Sequence, residues 1–200
     1  MQSNTFESPQ TDMIWGGSRL RNDLEDILYS AEVIQTRVHS LGQIIARDYA
    51  DHNPIVVGVL KGAVLFMADL VRHMDIQMEI DFIATSSYGA TTKSSGVVRI
   101  LKDLERSIED RDVLIVEDIV DSGLTLSYLR DSFLRRNARS VKIAAAFDKP
   151  GGRTVDIQPD YFGFEVPNRF LVGYGLDYAE RYRNLPYVGV LSPSVYAAKQ

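Results

Sequence analysis

The chain has 200 residues, 45% of them hydrophobic and 24% charged, a composition that fits one folded domain and excludes global disorder, collagen and coiled coil. No apolar run approaches the ~20 residues of a membrane helix, and the first twenty residues lack the apolar stretch of a secretory signal, so we expect neither. The absence of cysteine excludes disulfides, thiol nucleophiles and Cys-ligated zinc, and the net charge of −5 disfavours a broad basic surface for nucleic acid.

The N-terminal part of the chain predicts a tail followed by helices and strands. Residues 1–22 are polar and predict a mobile tail. Ser30 can cap a helix that runs to the low fifties, because apolar residues recur at helical spacing after it. The continuous apolar run at 55–60 predicts a strand covered on both faces, and residues 63–72 predict the helix that follows it. Alternating residues at 79–84 predict the next strand.

A polar segment follows that strand and has almost no side chain to bury. It covers residues 85–96 and precedes an apolar run at 97–101. A structureless stretch of about a dozen residues is uncommon inside a compact domain and is often a lid or a binding loop. A solvated hairpin tip is the alternative that the sequence leaves open here.

The C-terminal half continues the alternation of strands and helices. Residues 113–116 predict a second buried strand, and a helix with an apolar stripe that includes Leu129 and Phe133 follows it. Further strands are predicted at 141–147, 161–166, 170–172 and 188–191. This order predicts an α/β fold with right-handed crossovers and a mainly parallel sheet flanked by helices. Ligands of such sheets bind outside the carboxyl ends of the strands.

The strongest functional pattern lies at residues 113–126, where an apolar strand leads through a turn into a helix. Gly123 lets the backbone approach a ligand closely, and the free N–H groups at the helix start are hydrogen-bond donors. Together with the hydroxyls of Ser122 and Thr125, these groups predict a cradle of the size of one phosphate.

Two adjacent carboxylates, Glu117 and Asp118, precede this turn. They would repel a phosphate, so they must serve sugar hydroxyls or a divalent cation. The alternative is that Asp121 and Ser122 only cap the helix, but a cap does not explain the carboxylate pair as well. Other phosphate signatures are missing: the sequence has no GxxxxGK[ST] motif and no complete dinucleotide-binding glycine pattern.

Five sequence blocks occur together and in a fixed order: LKGA (60–63), DFIATSSYG (81–89), VEDIVDSGLTL (116–126), DKP (148–150) and VGYGLDYAERYRNLPYVG (172–189). With them the chain resembles the hypoxanthine-guanine phosphoribosyltransferases of the type I phosphoribosyltransferase family, from about Leu24 to Leu191. The resemblance implies a single domain at 23–195 with a mainly parallel central sheet at about 50–150. It also implies a small hood subdomain from about 151–195 and N-terminal residues.

The resemblance further implies an activity in purine salvage. Such an enzyme transfers the 5-phosphoribosyl group of 5-phosphoribosyl 1-diphosphate to hypoxanthine, and as we expect to guanine, giving IMP or GMP and pyrophosphate. Mg²⁺ is the expected cofactor. The expected partners are these small substrates and further copies of the chain in a dimer or tetramer, with no nucleic acid and no membrane. The expected location is the cytoplasm.

Residue by residue, the resemblance assigns the sugar, phosphate and metal sites. Asp121 matches the general acid/base at the purine N7. The phosphoribosyl group and its 5′-phosphate are assigned to Glu117, Asp118, Asp121, Ser122, Gly123, Leu124 and Thr125. The metal is assigned to Glu117, Asp118 and Asp177. Some family members carry Lys where this chain has Leu124, so one positive charge near the phosphate is absent and neutral donors remain to hold it.

The other assignments concern the leaving group, the lid and the base. Pyrophosphate is assigned to Lys61, Gly62 and Arg183, with a cis peptide bond between Leu60 and Lys61. The lid is assigned to Ser87 and Tyr88, and the purine to Lys149, Phe170, Leu171 and Asp177. Two alternatives remain open: a regulatory module of the same fold that binds the diphosphate and reads nucleic acid, and a phosphoribosyltransferase for another base.

Overall fold

The computed structural model describes residues 19–87 and 98–197 and contains two sheets. The strands are β1 (Leu24–Tyr29), β2 (Ile55–Leu60), β3 (Glu79–Ser87), β4 (Val98–Lys102), β5 (Asp112–Val120), β6 (Ser140–Asp148), β7 (Tyr161–Glu165), β8 (Leu171–Val172) and β9 (Val188–Leu191). The α-helices are α1 (Ala31–Asp48), α2 (Val64–Val71), α3 (Leu124–Arg135) and α4 (Pro193–Tyr196). Short 3-10 helices cover Arg19–Asp23 and Pro150–Gly152.

The main sheet has the strand order β4-β3-β2-β5-β6-β7. All neighbours in it are parallel except β3 and β4. The chain moves from β2 outward to β3 on one side, and from β5 outward to β6 on the other side. The strand order therefore reverses between β2 and β5, and a crevice opens at their carboxyl ends, where α/β sheets bind ligands.

Helices cover both faces of the main sheet, as the alternation of strands and helices predicts. On one face, Ile34 and Leu41 of α1 and Phe66 of α2 share a buried cluster with residues of β2, β5 and β6. On the other face, Leu129 and Phe133 of α3 pack against the same strands. The continuous apolar runs of β2 and β5 follow from this double coverage.

Ser30 caps α1 as the sequence predicts, and its side-chain oxygen accepts a hydrogen bond from the Val33 N–H at 3.4 Å. The helix ends at Asp48, short of the predicted low fifties. Within the described ranges, no helix is long and apolar enough to cross a membrane.

The second sheet is small, antiparallel and ordered β1-β9-β8, and it is the hood that the resemblance implies from the chain ends. Strand β1 was not among the predicted strands. Residues 1–18, most of the predicted tail, lie outside the described residues. The last part of that predicted tail is not free, because it forms the helix Arg19–Asp23 and Leu20 packs against the hood cluster.

Two predicted strands are longer than their apolar runs. β3 continues to Ser87, and β5 continues to Val120. Pairing explains the second case, because Glu117 lies beside Ala145 and Val120 beside Asp148 in the parallel register with β6. The carboxylate pair therefore lies inside β5 and not in the turn after it. Most of the predicted polar loop, residues 88–96, lies outside the described residues.

Candidate active site

The segments that follow β2 and β5 meet in the crevice at the reversal of strand order and enclose a cavity of about 270 Å³. Among the predicted site residues, its lining includes Lys61, Gly62, Glu117, Asp118, Asp121, Ser122, Gly123, Thr125 and Arg183. Thr85 and Ile119 also line it, although the sequence analysis gave them no role. Both belong to sequence blocks quoted above, DFIATSSYG (81–89) and VEDIVDSGLTL (116–126), and that membership was the signal that could have identified them.

The turn before α3 is built to expose backbone N–H groups. Gly123 has a φ of +81°, and a Cβ at this position would lie 2.4 Å from the Ile157 side chain, so only glycine fits. The Ser122 carbonyl accepts hydrogen bonds from the Thr154 N–H at 3.0 Å and from its hydroxyl at 3.2 Å, which fixes the turn. The Leu124 N–H donates to the Ser122 hydroxyl oxygen at 3.4 Å, and helix geometry leaves the next N–H groups of α3 without intrahelical acceptors, so these are available to an anion.

Glu117 and Asp118 form a pair of carboxyl groups near the end of β5, of which Glu117 is buried and Asp118 half-buried. Burial and the neighbouring charge of Asp118 raise the pKa of Glu117 well above its ordinary value, and burial also raises the pKa of Asp118. The Asp118 carboxylate lies against Gly62, where a Cβ would be 1.7 Å from its Oδ2 atom. Because residue 62 is glycine, the Asp118 carboxylate has room to lie in the cavity.

The donor chemistry of this pair fits a magnesium ion. Two carboxylates that repel each other in a buried site favour a bound cation, and oxygen atoms are the ligands that Mg²⁺ prefers. Asp177 is engaged elsewhere: its Oδ1 pairs with Arg183 at 2.8 Å, and its Oδ2 accepts the Glu180 N–H at 2.9 Å. In the part of the chain that the structure describes, no three acidic, histidine or cysteine side chains form a metal-binding group.

The two cations predicted for pyrophosphate are paired with carboxylates of the segment after β8. Lys61 Nζ lies 3.0 Å from Glu180, and Arg183 lies 2.8 Å from Asp177 and 3.7 Å from Glu180. Lys61 and Glu180 are largely exposed, so their pair is weak. The Leu60–Lys61 peptide bond is cis, as the resemblance implies.

The same segment packs directly on the loop after β2. A Cβ at Gly175, which has a φ of +101°, would lie 2.1 Å from the Gly62 carbonyl oxygen. Arg183 donates to the Gly175 carbonyl at 2.8 Å. Glycine at position 175 therefore permits the close approach that brings Arg183 to the same cavity as Lys61.

At the other end of the crevice, Lys149 Nζ pairs with the Asp121 carboxylate at 2.5 Å. The Lys149 side chain is 12% exposed and that of Asp121 is 49% exposed, so the pair reaches from the interior to the cavity surface. Gly152 allows the approach, because a Cβ there would lie 1.8 Å from Asp121 Oδ1. The Lys149 N–H donates to the Val120 carbonyl at 3.0 Å, which ties the end of β6 to the end of β5.

A second cavity of about 380 Å³ lies beside Lys149 and is lined by residues of the hood. Phe170 lines it and is 42% exposed, as a stacking surface must be. Leu171 is buried in β8 and does not line either cavity. Tyr196 and Asn168 line this cavity, and the sequence analysis did not single them out. Tyr88 and the Ser87 side chain, predicted as the lid, lie outside the described residues.

A family model for the phosphoribosyl transferase domain matches residues 26–179 of the chain. The chain belongs to the phosphoribosyl transferase family. Within it, the chain groups with the hypoxanthine-guanine phosphoribosyltransferases. It is 58% identical to the hypoxanthine-guanine phosphoribosyltransferase of Bacillus subtilis (strain 168) over 177 residues, which are 88% of this chain and 98% of that protein.

Further relatives give the same result. The hypoxanthine-guanine phosphoribosyltransferase of Streptococcus thermophilus (strain CNRZ 1066) is also 58% identical over 177 residues, 88% of this chain and 98% of that protein. The crystal structure of a hypoxanthine phosphoribosyltransferase from Staphylococcus aureus superposes with a TM-score of 0.87 at 45% identity, covering 90% of this chain and 98% of that one. The predicted type I phosphoribosyltransferase fold is therefore confirmed.

Proposed function

We propose that the chain transfers the 5-phosphoribosyl group of 5-phosphoribosyl 1-diphosphate to hypoxanthine and guanine, with release of pyrophosphate. The observation that carries this proposal is the ion pair between Lys149 and Asp121 at the edge of a cavity that also holds the phosphate turn and the buried carboxylates. One crevice thus offers groups for a phosphate, a sugar and a base. The names of the relatives support this choice of bases.

The turn before α3 binds the 5′-phosphate in this proposal. The N–H groups at the start of the helix and the hydroxyls of Ser122 and Thr125 are neutral donors that point to one anion. With Leu124 in place of a lysine, the turn adds no charge of its own, so the backbone and hydroxyl donors carry the binding. Glu117 and Asp118 accept hydrogen bonds from the ribose hydroxyls.

Mg²⁺, when bound, neutralises the diphosphate and keeps several waters in its shell, so it needs few protein ligands. Asp118 and Glu117 would hold it. Asp177 would join them once the diphosphate has replaced it as the partner of Arg183, because this exchange frees the Oδ1 atom of Asp177.

The departing pyrophosphate carries the negative charge that develops in the reaction, and the chain offers two cations for it. Lys61 and Arg183 line the same cavity and stabilise this charge in place. Both are paired with carboxylates of residues 177–180 before the substrate binds, so the diphosphate replaces these partners. The sugar becomes positively charged in the reaction, and the lid that the resemblance assigns to Ser87 and Tyr88 would limit its capture by water.

The base is recognised and activated by the Lys149–Asp121 pair. The ammonium group of Lys149 is only a donor, so it satisfies the 6-oxo group of hypoxanthine or guanine. Asp121 faces N7 of the purine and handles its proton as general acid/base. Phe170 stacks on the purine ring.

The assay that tests this proposal measures pyrophosphate release from 5-phosphoribosyl 1-diphosphate by the purified protein, with saturating Mg²⁺ and each purine base in turn. We expect turnover with hypoxanthine and guanine and very little with adenine. No turnover with any base under these conditions would favour the regulatory module of the same fold. Turnover that is fastest with another base would favour the second alternative.

We also propose that the chain acts in the cytoplasm as a homo-oligomer, a dimer or tetramer. Three large apolar side chains on neighbouring elements support the assembly: Val33 of α1 is 47% exposed, and Leu65 of α2 and Phe162 of β7 are each 39% exposed. Exposed apolar side chains of this size are typical of surfaces that meet another copy of the chain. Light scattering on the purified protein measures the number of copies, and a monomer would refute the assembly.

A further inference from the structure

The ring of Phe170 belongs to an aromatic cluster that the sequence analysis did not anticipate. The ring of Tyr196 stacks on it, with the ring centroids 5.4 Å apart and the planes at 27°. Tyr178 meets the same ring edge-on, at 5.6 Å and 88°. Tyr178 and Tyr196 also contact each other at 6.4 Å. Phe170 is thus held from two sides, while 42% of its surface stays exposed.

Backbone hydrogen bonds place Tyr196 in this position. The Leu191 N–H at the end of β9 donates to the Phe170 carbonyl at 2.9 Å, and the Ser192 N–H donates to the Asp23 carbonyl at 2.9 Å. Pro193 then starts α4, which ends at Tyr196. The C-terminal segment is therefore attached to the backbone of Phe170 itself and to the start of the hood.

Tyr196 also lines the cavity beside Lys149, the residue proposed to bind the 6-oxo group of the base. Lys149, Phe170 and Tyr196 all line the cavity of about 380 Å³ beside the Lys149–Asp121 pair. An aromatic ring has two faces, and stacking by Tyr196 uses one face of Phe170. A flat ligand would therefore take the opposite face, which requires part of the ring to stay exposed, as 42% of Phe170 does.

We infer that Tyr196 is a positioning residue for the purine: it covers one face of Phe170 and fixes the orientation in which the other face stacks on the base. This inference rests on the proposed function, in which Phe170 stacks on the purine. Tyr196 acts through Phe170 and does not touch the reacting atoms. Its effect should therefore appear in the binding of the base and not in the binding of the phosphoribosyl group.

The ring, and not the hydroxyl, is the part of Tyr196 that makes the stacking contact. Replacing Tyr196 by leucine removes the aromatic partner and keeps an apolar side chain, whereas Tyr196→Phe keeps the ring. Tyr196→His keeps a smaller planar ring and serves as a second variant if the leucine variant is poorly folded. Tyr128→Leu, at a 36% exposed tyrosine of α3, is the matched control.

The experiment measures KM for hypoxanthine and for 5-phosphoribosyl 1-diphosphate in each variant, together with the melting temperature. We expect Tyr196→Leu to raise KM for hypoxanthine by about 3- to 10-fold, in line with the energy of one aromatic pair. KM for 5-phosphoribosyl 1-diphosphate should stay within about twofold. Tyr196→Phe and Tyr128→Leu should resemble the unmodified chain, and Tyr196→His should lie between.

Three results would overturn the inference. An unchanged KM for hypoxanthine would mean that Tyr196 does not support the base. A lower KM would mean that its ring stands in the place of the base. An equal rise of both KM values with a lower melting temperature would indicate a general structural role.

A binding measurement separates this inference from the proposed function. Calorimetric titration with IMP and with ribose 5-phosphate gives the contribution of the base without turnover. If the inference holds, Tyr196→Leu weakens the binding of IMP by the same 3- to 10-fold and leaves the binding of ribose 5-phosphate unchanged. An equal effect on both ligands, or none, would refute it even where the unmodified chain shows no transfer activity. A lack of transfer activity alone would refute only the proposed function.

Discussion

Lys149 Nζ and Asp121 Oδ2 lie 2.5 Å apart, so the group proposed to read the base and the group proposed to move its proton are paired with each other. A purine that binds both presents one edge to the pair, with its 6-oxo group at the lysine and N7 at the carboxylate. Both atoms lie on the same side of the purine ring system. One ion pair thus marks the place and the orientation of the base.

Asp121→Asn tests the role of the carboxylate. If Asp121 handles the N7 proton, kcat should fall by ~10²–10⁴, while binding of 5-phosphoribosyl 1-diphosphate stays largely intact. Steady-state kinetics and calorimetric titration measure the two quantities. Asp131→Asn, at an exposed position of α3, is the control and should leave both unchanged. Near-normal turnover of the Asp121→Asn variant would remove Asp121 from the mechanism.

Lys149→Gln tests base selectivity. A site with a donor-only ammonium should reject adenine by up to ~10⁴–10⁵ in kcat/KM, because the 6-amino group of adenine is also a donor. Glutamine both donates and accepts, so the variant should use hypoxanthine less well and show a smaller gap to adenine. Comparable kcat/KM values for the two bases in the unmodified chain would contradict the assignment of Lys149.

Gly62→Ala tests the contact between the loop after β2 and the carboxylate pair. The new Cβ would lie 1.7 Å from Asp118 Oδ2, so the carboxylate or the loop has to move. Because small misplacements in an active site are costly, we expect kcat/KM for 5-phosphoribosyl 1-diphosphate to fall by about 10². Unchanged kinetics of the Gly62→Ala variant would show that the Gly62 contact has no role.

Asp112 predicts a pH dependence of stability that is separate from the active site. This buried carboxylate at the start of β5 accepts hydrogen bonds from Arg139, from the Ser140 hydroxyl at 2.6 Å and pairs with His52 at 2.7 Å. These partners, with Arg139 first, hold the pKa of Asp112 well below its ordinary value of about 3.9. Its stabilisation is therefore complete above that ordinary value and is lost as the pH falls through it toward the lower folded-state pKa.

Asp112→Asn should lower the free energy of unfolding by about 1–3 kcal/mol at pH 7, because the partners of a buried acceptor lose their bond. Urea unfolding at pH 7 and at pH 3 measures this difference, which should be smaller at pH 3. Asp131→Asn again serves as the exposed control. A difference that is the same at both pH values would mean that the charge of Asp112 does not stabilise the fold.

Local sequence was enough to predict the elements that depend on neighbours in the chain. Ser30 predicts the start of α1, because a capping side chain bonds to an N–H group only three residues further along the chain. The phosphate turn could be identified because Ser122, Gly123 and Thr125 lie within four residues. The apolar run of β2 predicts its double coverage in the same way. Such features need no knowledge of the rest of the chain.

Features that depend on distant partners could not be predicted in this way. Strand β1 has a weak pattern of its own and pairs with β9, more than 150 residues further on. The sequence around Lys61 does not predict its ion pair with Glu180, and the sequence around Phe170 does not predict that the ring of Tyr196 stacks on it. The length of β5 was underestimated because its last residues gain their strand conformation from the register with β6.

The pairing of β1 with β9 has a consequence for the order in which the protein can assemble during synthesis. The strands that carry the sugar and phosphate residues, β2, β5 and β6, all precede Lys149. Thr154, which fixes the phosphate turn, and Arg183 follow later, and the hood closes only after Leu191 has emerged and pairs back to Leu24. A nascent chain therefore acquires the strands of its anion-binding half first, and the hood beside the base site is the last part to form.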